Sequence, residues 1–309
     1  MAVPSGGRPA PRIVVVGSAN LDIVVPVGHI PQPGETVVGG DHYRAPGGKG
    51  ANQAVACSRL GTATAFIGCL GDDDAGHTLR TALEGDRVDT THVRAVAGAP
   101  SGIALIVVDA TGENTVTVSP GANARLLPDT LPEAEIEAAD ALLVQLEIPL
   151  ATAIRATELA TGTVVLNPAP GRPLPDELLR NADVLVPNRS ELAILGAAQE
   201  PERLEDVAAL ARGLPGDARV VVTLGEAGAL VVDGNDLTHV PAHRVTAVDA
   251  TGAGDTFCAA LTVALTEGAE LVDATRWAVV AAGLSVAGRG AQPSIPVRAD
   301  VTGAITTGR

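Results

Sequence analysis

Apolar and polar positions along this chain fall into two regimes. In the first half, Arg12 to Gly17 (RIVVVG) is a short apolar run closed by glycine, the pattern of a buried parallel strand. Asp22 to Val27 and Thr36 to Val38 read as weaker strands, and Ala51 to Leu60 as a helix that follows a glycine turn and ends at Gly61. Thr64 to Leu70 is again a strand, and Asp72 to Leu83 a helix with an Asp cap. Two β-rich runs, Ile103 to Asp109 and Asn114 to Val118, are joined by Ala110-Thr111-Gly112-Glu113, a hairpin signal.

Beyond residue 128 the pattern alternates regularly. Strands at Ala141–Gln145, Val164–Asn167, Val184–Pro187 and Val220–Leu224 are separated by helical segments near 150–160, 176–181, 189–196 and 202–212. A hairpin follows (Ala229–Val232, Leu237–Val240), then two alanine-rich helices, Gly254–Glu267 and Leu271–Ala287, apolar nearly all round and so expected to be buried. This is the β-α repeat of an α/β fold, a mainly parallel sheet covered on both faces. The strands at 22–27, 36–38 and part of 92–118 break that rhythm and belong in a small separate sheet. Such a sheet exposes one face, so it must cover something or pair with a second copy.

The 309 residues suffice for one large α/β domain or two small ones. With 21 basic against 36 acidic residues the formal charge is −15, which argues against nucleic acid and anionic membranes as partners. Any site for a phosphorylated ligand must then be local and built from backbone amides. Cys57, Cys69 and Cys258 are too few for a disulfide framework and lie in apolar settings, the usage of a reducing cytoplasm. The uncharged stretch between Arg276 and Arg289 is too short to span a bilayer, and Met1 to Pro11 reads as a loose tail rather than a signal peptide. Lys49 is the only lysine; every other basic residue is arginine. A compact ammonium placed between glycines (Gly47-Gly48-Lys49-Gly50) suits a tight polar site that a planar guanidinium would not fit.

Two glycine turns open helices. In Asp249-Ala250-Thr251-Gly252-Ala253-Gly254-Asp255-Thr256-Phe257, the glycines admit a close ligand, and the helix presents its unpaired N–H groups and dipole to it. A carboxylate beside an anion cradle makes sense if Asp255 takes a proton from a hydroxyl that attacks phosphorus; alternatively it only caps the helix. In Gly47-Gly48-Lys49-Gly50-Ala51-Asn52-Gln53-Ala54, Lys49 and Asn52 are three apart and reach one polyol from the same side. The Walker A spacing is absent. Gly17-Ser18-Ala19-Asn20-Leu21-Asp22 lacks the third glycine of a dinucleotide fingerprint, and Asn20 and Asp22 offer acceptors for vicinal hydroxyls. Pro187-Asn188-Arg189-Ser190-Glu191 lies where ligands collect in open sheets, although Asn188 and Glu191 also form a capping-box pair. Thr223-Leu224-Gly225-Glu226-Ala227-Gly228 ends a strand in two glycines, suited to a nucleotide lying on backbone or to a plain turn.

Together these segments, with Arg289-Gly290-Ala291-Gln292-Pro293-Ser294 near the end, resemble the ribokinase-like (PfkB) family of carbohydrate kinases from Ile13 to Pro296. The resemblance implies a three-layer α/β/α sandwich with a small β-sheet lid, formed by parts of about 20–45 and 92–120 within a single kinase domain over 12–309. It also implies a homodimer clasped through the lids. The implied reaction is transfer of the γ-phosphoryl of ATP to the C5 hydroxyl of D-ribose. Asn20, Leu21, Asp22, Gly48, Lys49, Gly50, Ala51, Asn52 and Glu147 would bind the sugar; Asp255 would be the base. The amides of Gly252, Ala253 and Gly254 would form the anion hole. Asn188, Thr223, Leu224, Gly225, Glu226, Ala227, Gly228, Gly254, Asp255 and Val279 would line the ATP site, and Glu191 would hold Mg²⁺ through water. Asp249, Thr251, Ser285, Gly288, Gly290 and Ser294 match the positions that hold K⁺ in such enzymes. Departures from the family pattern are Ala250, Val279 and Cys258-Ala259. A kinase of deoxyribose, fructose or adenosine, or a non-catalytic sugar-binding regulator, are the competing readings; the scarcity of aromatics disfavours a nucleoside acceptor.

Overall fold

The computed structural model describes residues 11–307; apart from Pro11, the expected N-terminal tail lies outside them. In chain order the first half contains β1 (Arg12–Val16), β2 (Asn20–Pro26), β3 (Tyr43–Gly47), α1 (Lys49–Arg59), β4 (Ala63–Gly71), α2 (Asp74–Gly85), β5 (Val93–Val96), β6 (Gly102–Val108) and β7 (Asn114–Ser119). The β-α repeat follows as α3 (Glu133–Glu137), β8 (Ala141–Val144), α4 (Leu150–Leu159), β9 (Thr163–Leu166), α5 (Asp176–Arg180), β10 (Val184–Leu185), α6 (Arg189–Leu195), α7 (Leu204–Arg212) and β11 (Arg219–Thr223). The chain closes with β12 (Ala229–Asp233), β13 (Asp236–Val240), α8 (Ala253–Thr266), α9 (Leu271–Ser285), α10 (Ala291–Ser294) and α11 (Arg298–Thr307).

Nine strands form the main sheet in the order β13-β12-β11-β10-β9-β8-β1-β4-β5. It is parallel from β11 to β5; only the β11–β12 and β12–β13 pairs are antiparallel, so β12 alone runs against the rest. The apolar run of β1 has a direct physical reason. Ile13 and Val15 pack into one core with α1, α8 and α9, whereas Val14 and Val16 pack into a second core with α4, α5 and α7. A strand covered on both faces has no solvent side on which to carry polar residues. The result is the three-layer α/β/α sandwich expected from the sequence, with β2, β3, β6 and β7 set apart in a second sheet of order β3-β2-β6-β7.

Two boundaries differ from expectation. Residues 36–38 form no strand, and Val38 is 92% exposed; the third strand is Tyr43–Gly47, paired antiparallel with Asn20–Val24. Pro46 and Gly47 hide it from pattern reading, yet β3 lies at a sheet edge, where a missing N–H is tolerated. Residues Val93–Val96 belong to the main sheet beside β4 rather than to the second sheet. Among the described residues no helix is long and apolar enough to cross a membrane.

Candidate active site

The loops after β1, β8, β9, β10 and β11 leave the sheet at the same carboxyl edge, the place where open α/β sheets gather ligands. Helix α1 is seated directly on the end of β1. Gly48 has φ +89°, and a Cβ there would meet the Asn20 amide nitrogen at 2.6 Å; a Cβ on Gly50 would meet the Gly17 Cα at 2.7 Å. Only glycine allows this approach. The Ala51 amide then donates to the Ser18 carbonyl at 2.8 Å. Gly50 and Ala51 are therefore packing positions, and Lys49, Asn52 and Gln53 share the helix face toward the site.

Helix α8 enters from the other side. Gly252, its N-cap, has φ +76°, and a Cβ there would lie 2.9 Å from the Ala291 Cβ. At Gly254 a Cβ would meet no atom within 4 Å, so the space over the open N-terminus of α8 is free. The Gly254 amide and the positive end of the helix dipole face that space, whereas the Ala253 amide, expected in the anion hole, donates to the Ala250 carbonyl at 3.2 Å. Asp255 lies in the same turn and is only 6% exposed. Asn52 Nδ2 donates to its Oδ2 at 3.0 Å and Gln53 Nε2 to its Oδ1 at 3.2 Å. Burial raises the Asp255 carboxyl above its ordinary value, opposed by the Lys49 ammonium and the two amide donors and reinforced by Glu147.

Glu147 closes the ring. Its Oε2 accepts from the Ser18 hydroxyl at 2.6 Å, the Lys49 amide at 3.3 Å and Asn20 Nδ2 at 3.4 Å. Asn20 is fixed in turn by Asn123 Nδ2 at 2.8 Å, whose carboxamide also pairs with the Ala19 backbone. Burial pulls Lys49 down, but the Asp255, Glu147 and Glu191 carboxylates outweigh it and hold the ammonium above its ordinary value. Asp22 is pushed up to about 7, by burial first and then by Glu147 and Asp255. Its carboxyl lies against Gly47, where a Cβ would meet Asp22 Oδ2 at 2.2 Å. Asn20, Asp22, Lys49, Asn52, Glu147 and Asp255, spread over most of the sequence, are thus brought into one acidic pocket with a single ammonium. Leu21 is a buried apolar residue.

At the neighbouring strands, Asn188 and Thr223 bridge side by side. Asn188 caps α6, with Glu191 in a reciprocal capping box (2.7 and 2.9 Å). Burial raises Glu191, with the Asn188 amide and Lys49 opposing, which places Glu191 in the same electrostatic field. Leu224 to Gly228 form a tight turn closed by the Leu224 amide on the Gly228 carbonyl at 2.8 Å, with Gly225 and Gly228 at positive φ. Val279 is buried in the apolar core, so its contact is packing.

The loop before α8 is stitched to the loop after α9. Asp249 Oδ1 accepts from the Thr251 hydroxyl at 2.6 Å and its amide at 2.9 Å, and Oδ2 accepts from the Gly290 amide at 2.8 Å. Burial works to raise Asp249, but these donors outweigh it and keep the carboxyl below its usual range. Ser294 Oγ donates to the Gly290 carbonyl at 2.6 Å, and a Cβ on Gly288 would meet Ser294 Cβ at 2.7 Å. Asp249 and Thr251 lie in the loop before α8, and Ser285, Gly288, Gly290 and Ser294 run from the last residue of α9 to the last residue of α10; their donors are one carboxylate, hydroxyls and carbonyls, hard oxygens of the kind an alkali cation takes.

Sequence reasoning missed Ser18, Gln53, Asn123, Asn167 and Gln292 as parts of the site. Gln53 and Asn123 did leave a trace: each is a carboxamide among small apolar residues (Ala51, Ala54, Val55; Ala122), an expensive choice unless partnered.

The chain is similar to known proteins over most of its length. The chain is 40% identical over 292 residues to the ribokinase of Haemophilus influenzae, covering 93% of this chain and 95% of that protein. It is 36% identical over 293 residues to a deoxyribokinase of Salmonella typhi, covering 92% and 95%. The ribokinase of Arabidopsis thaliana, solved in complex with ribose and ATP, superposes with a TM-score of 0.87 at 34% identity, covering 95% of this chain and 98% of that one. Residues 10–298 match the pfkB family of carbohydrate kinases, and the chain belongs to that family.

Proposed function

We propose that this protein phosphorylates D-ribose at its C5 hydroxyl with ATP. One observation carries the reading: Asp255, buried and flanked by amide donors, sits in the first turn of α8 beside the open helix N-terminus, within the field of the Lys49 ammonium and the Glu147 carboxylate. A carboxylate there takes the proton of an alcohol while the alcohol oxygen attacks the γ-phosphorus. The bond to the β-phosphate oxygen breaks and ADP leaves. The amides of Gly252 and Gly254 and the Lys49 ammonium offset the charge on the transferring group. Asn20, Asp22 and Glu147 accept from the sugar hydroxyls, and Asn52 and the Gly48 turn complete that wall. The ATP phosphates approach along the Asn188 and Thr223–Gly228 edge. Identity to the Haemophilus influenzae ribokinase (40%) exceeds that to the deoxyribokinase (36%), and this favours ribose as the acceptor.

Two cations fit the residues present. Glu191 Oε2 is committed to the Asn188 amide, and its other oxygen would hold Mg²⁺ through water, supplying charge neutralisation at the nucleotide phosphates. The Asp249 and Ser285–Ser294 loops would hold K⁺ and so order the turn that carries the anion hole.

The four-stranded sheet acts as a lid on the one kinase domain. Its register places Asn20 and Asp22 on the same face as Val24, Tyr43, Ile106, Val116 and Val118. Tyr43, Val116 and Val118 are exposed, an apolar row that a second copy would cover. Steady-state ATP consumption over a panel of sugars tests the reaction: ribose is the preferred acceptor, and a flat panel overturns it. Asp255→Asn loses at least 100-fold in turnover while sugar affinity stays within about tenfold; near-normal turnover would remove Asp255 from this role.

A further inference from the structure

The amides that touch Asp255 are themselves held. Gln53 is 0% exposed, and its Nε2 donates both to Asp255 Oδ1 and to Asn167 Oδ1, each at 3.2 Å. Asn167 is anchored by its own Nδ2 on the Val186 carbonyl at 2.9 Å, at the ends of two neighbouring strands. On the other oxygen, Asn52 Nδ2 donates to Asp255 while Asn52 Oδ1 accepts from Gln292 Nε2 at 3.2 Å. Gln292 is pinned through its backbone carbonyl by Arg59 at 2.5 Å, and Arg59 is paired with Asp86 at 2.6 and 2.9 Å. Each carboxylate oxygen therefore receives one amide N–H, and each amide is braced from the far side.

We propose that Gln53 and Gln292 are positioning residues for phosphoryl transfer: a two-sided carboxamide clamp that aims the Asp255 carboxylate and keeps it ionised in a dry pocket. The proposal rests on Asp255 being the base. Two features separate this from ordinary packing. A buried carboxylate without donors takes up a proton, and a protonated Asp255 is no longer a base for an alcohol proton. The clamp also leaves each oxygen a further lone pair, since each receives a single N–H from protein. The charged and titratable groups around Asp255 come from every side: Lys49 of α1, Glu147 after β8, Glu191 of α6, Cys258 one turn on in α8, and Asp22 of β2. Among these groups Lys49 alone favours ionisation, and the two side-chain amides and the N-terminus of α8 supply the rest of the opposition to burial.

The test is the single-turnover rate with ribose and MgATP from pH 5.5 to 9 in the full-length enzyme. Gln53→Met keeps the volume and removes the donor. Its acid limb moves up by about one pH unit, with a roughly tenfold loss at low pH, near-normal rates at high pH and an unchanged KM for ribose. Gln292→Met acts through Asn52 and moves the limb in the same direction by less. Gln53→Glu keeps the shape and sets two carboxyls together; they share one proton, and turnover is lost at neutral pH. An unshifted acid limb in Gln53→Met, or wild-type turnover at pH 7 in Gln53→Glu, overturns the clamp. Asp255→Asn read in parallel keeps the two claims apart: an inactive Asp255→Asn beside an unshifted Gln53→Met sinks the clamp and leaves the base standing.

Discussion

Replacing Asp22 by asparagine removes one negative charge from a pocket that already holds Glu147 and Asp255. No protein group among the described residues donates to its carboxylate, and folding pushes it from 3.8 up to about 7. The sign follows from proton counting. Below pH 3.8 the carboxyl is protonated in both the folded and unfolded chain, and there is no cost. Above that value the unfolded chain releases its proton first, so stability falls until the folded group also ionises near pH 7. At about 1.4 kcal/mol per pH unit, the full cost is roughly 4 kcal/mol by pH 8, and about 2 to 3 kcal/mol of it accrues between pH 5 and pH 8. A carboxamide at this position has the same shape and no charge, so Asp22→Asn is more stable than the parent, and its advantage grows by that amount across the interval. Urea unfolding at pH 5, 6, 7 and 8 measures it directly. The same variant binds ribose about tenfold more weakly, because a charged acceptor becomes a neutral one. A difference in stability that is constant with pH, or a variant that is less stable at pH 8, refutes the reasoning.

The glycines of the α8 turn separate two effects. Gly254→Ala meets no protein atom and gains helix propensity, so it raises Tm slightly while lowering kcat, because the methyl occupies space above the helix N-terminus; normal kcat would move the phosphate elsewhere. Gly252→Ala combines positive φ with contact on Ala291 and costs about 1 to 3 kcal/mol by thermal unfolding. Replacing K⁺ by Na⁺ lowers activity, and Asp249→Ala removes that preference; a rate indifferent to the cation contradicts the assignment to these loops.

Much of this molecule was legible from residue order. The apolar run of β1, the β-α rhythm after residue 128 and the two glycine turns are local patterns, and each corresponds to the element it forecast. Lys49, alone of its kind between glycines, pointed to a polar site, and it is the one ammonium among the pocket's carboxylates. The exceptions are where local pattern competes with pairing. Val37-Val38 has strand composition but no partner, whereas Tyr43-Arg44-Ala45-Pro46-Gly47 has poor strand composition and pairs with β2. Likewise Asn52 reads as a sugar ligand from its spacing, and the fold adds a second duty by placing its amide between Asp255 and Gln292.

Order along the chain determined the elements, the buried faces and the residue types that carry chemistry, because helix and strand periods are set by neighbours a few positions apart. It did not determine which side chains meet. Gln53 reaches Asp255 across 202 positions and Gln292 reaches Asn52 across 240. Those meetings arise only when the crossovers of a parallel sheet bring distant loops to one edge. The ionisation of Asp22 belongs to the tertiary structure for the same reason: its cause is burial beside carboxylates that the chain supplies from elsewhere.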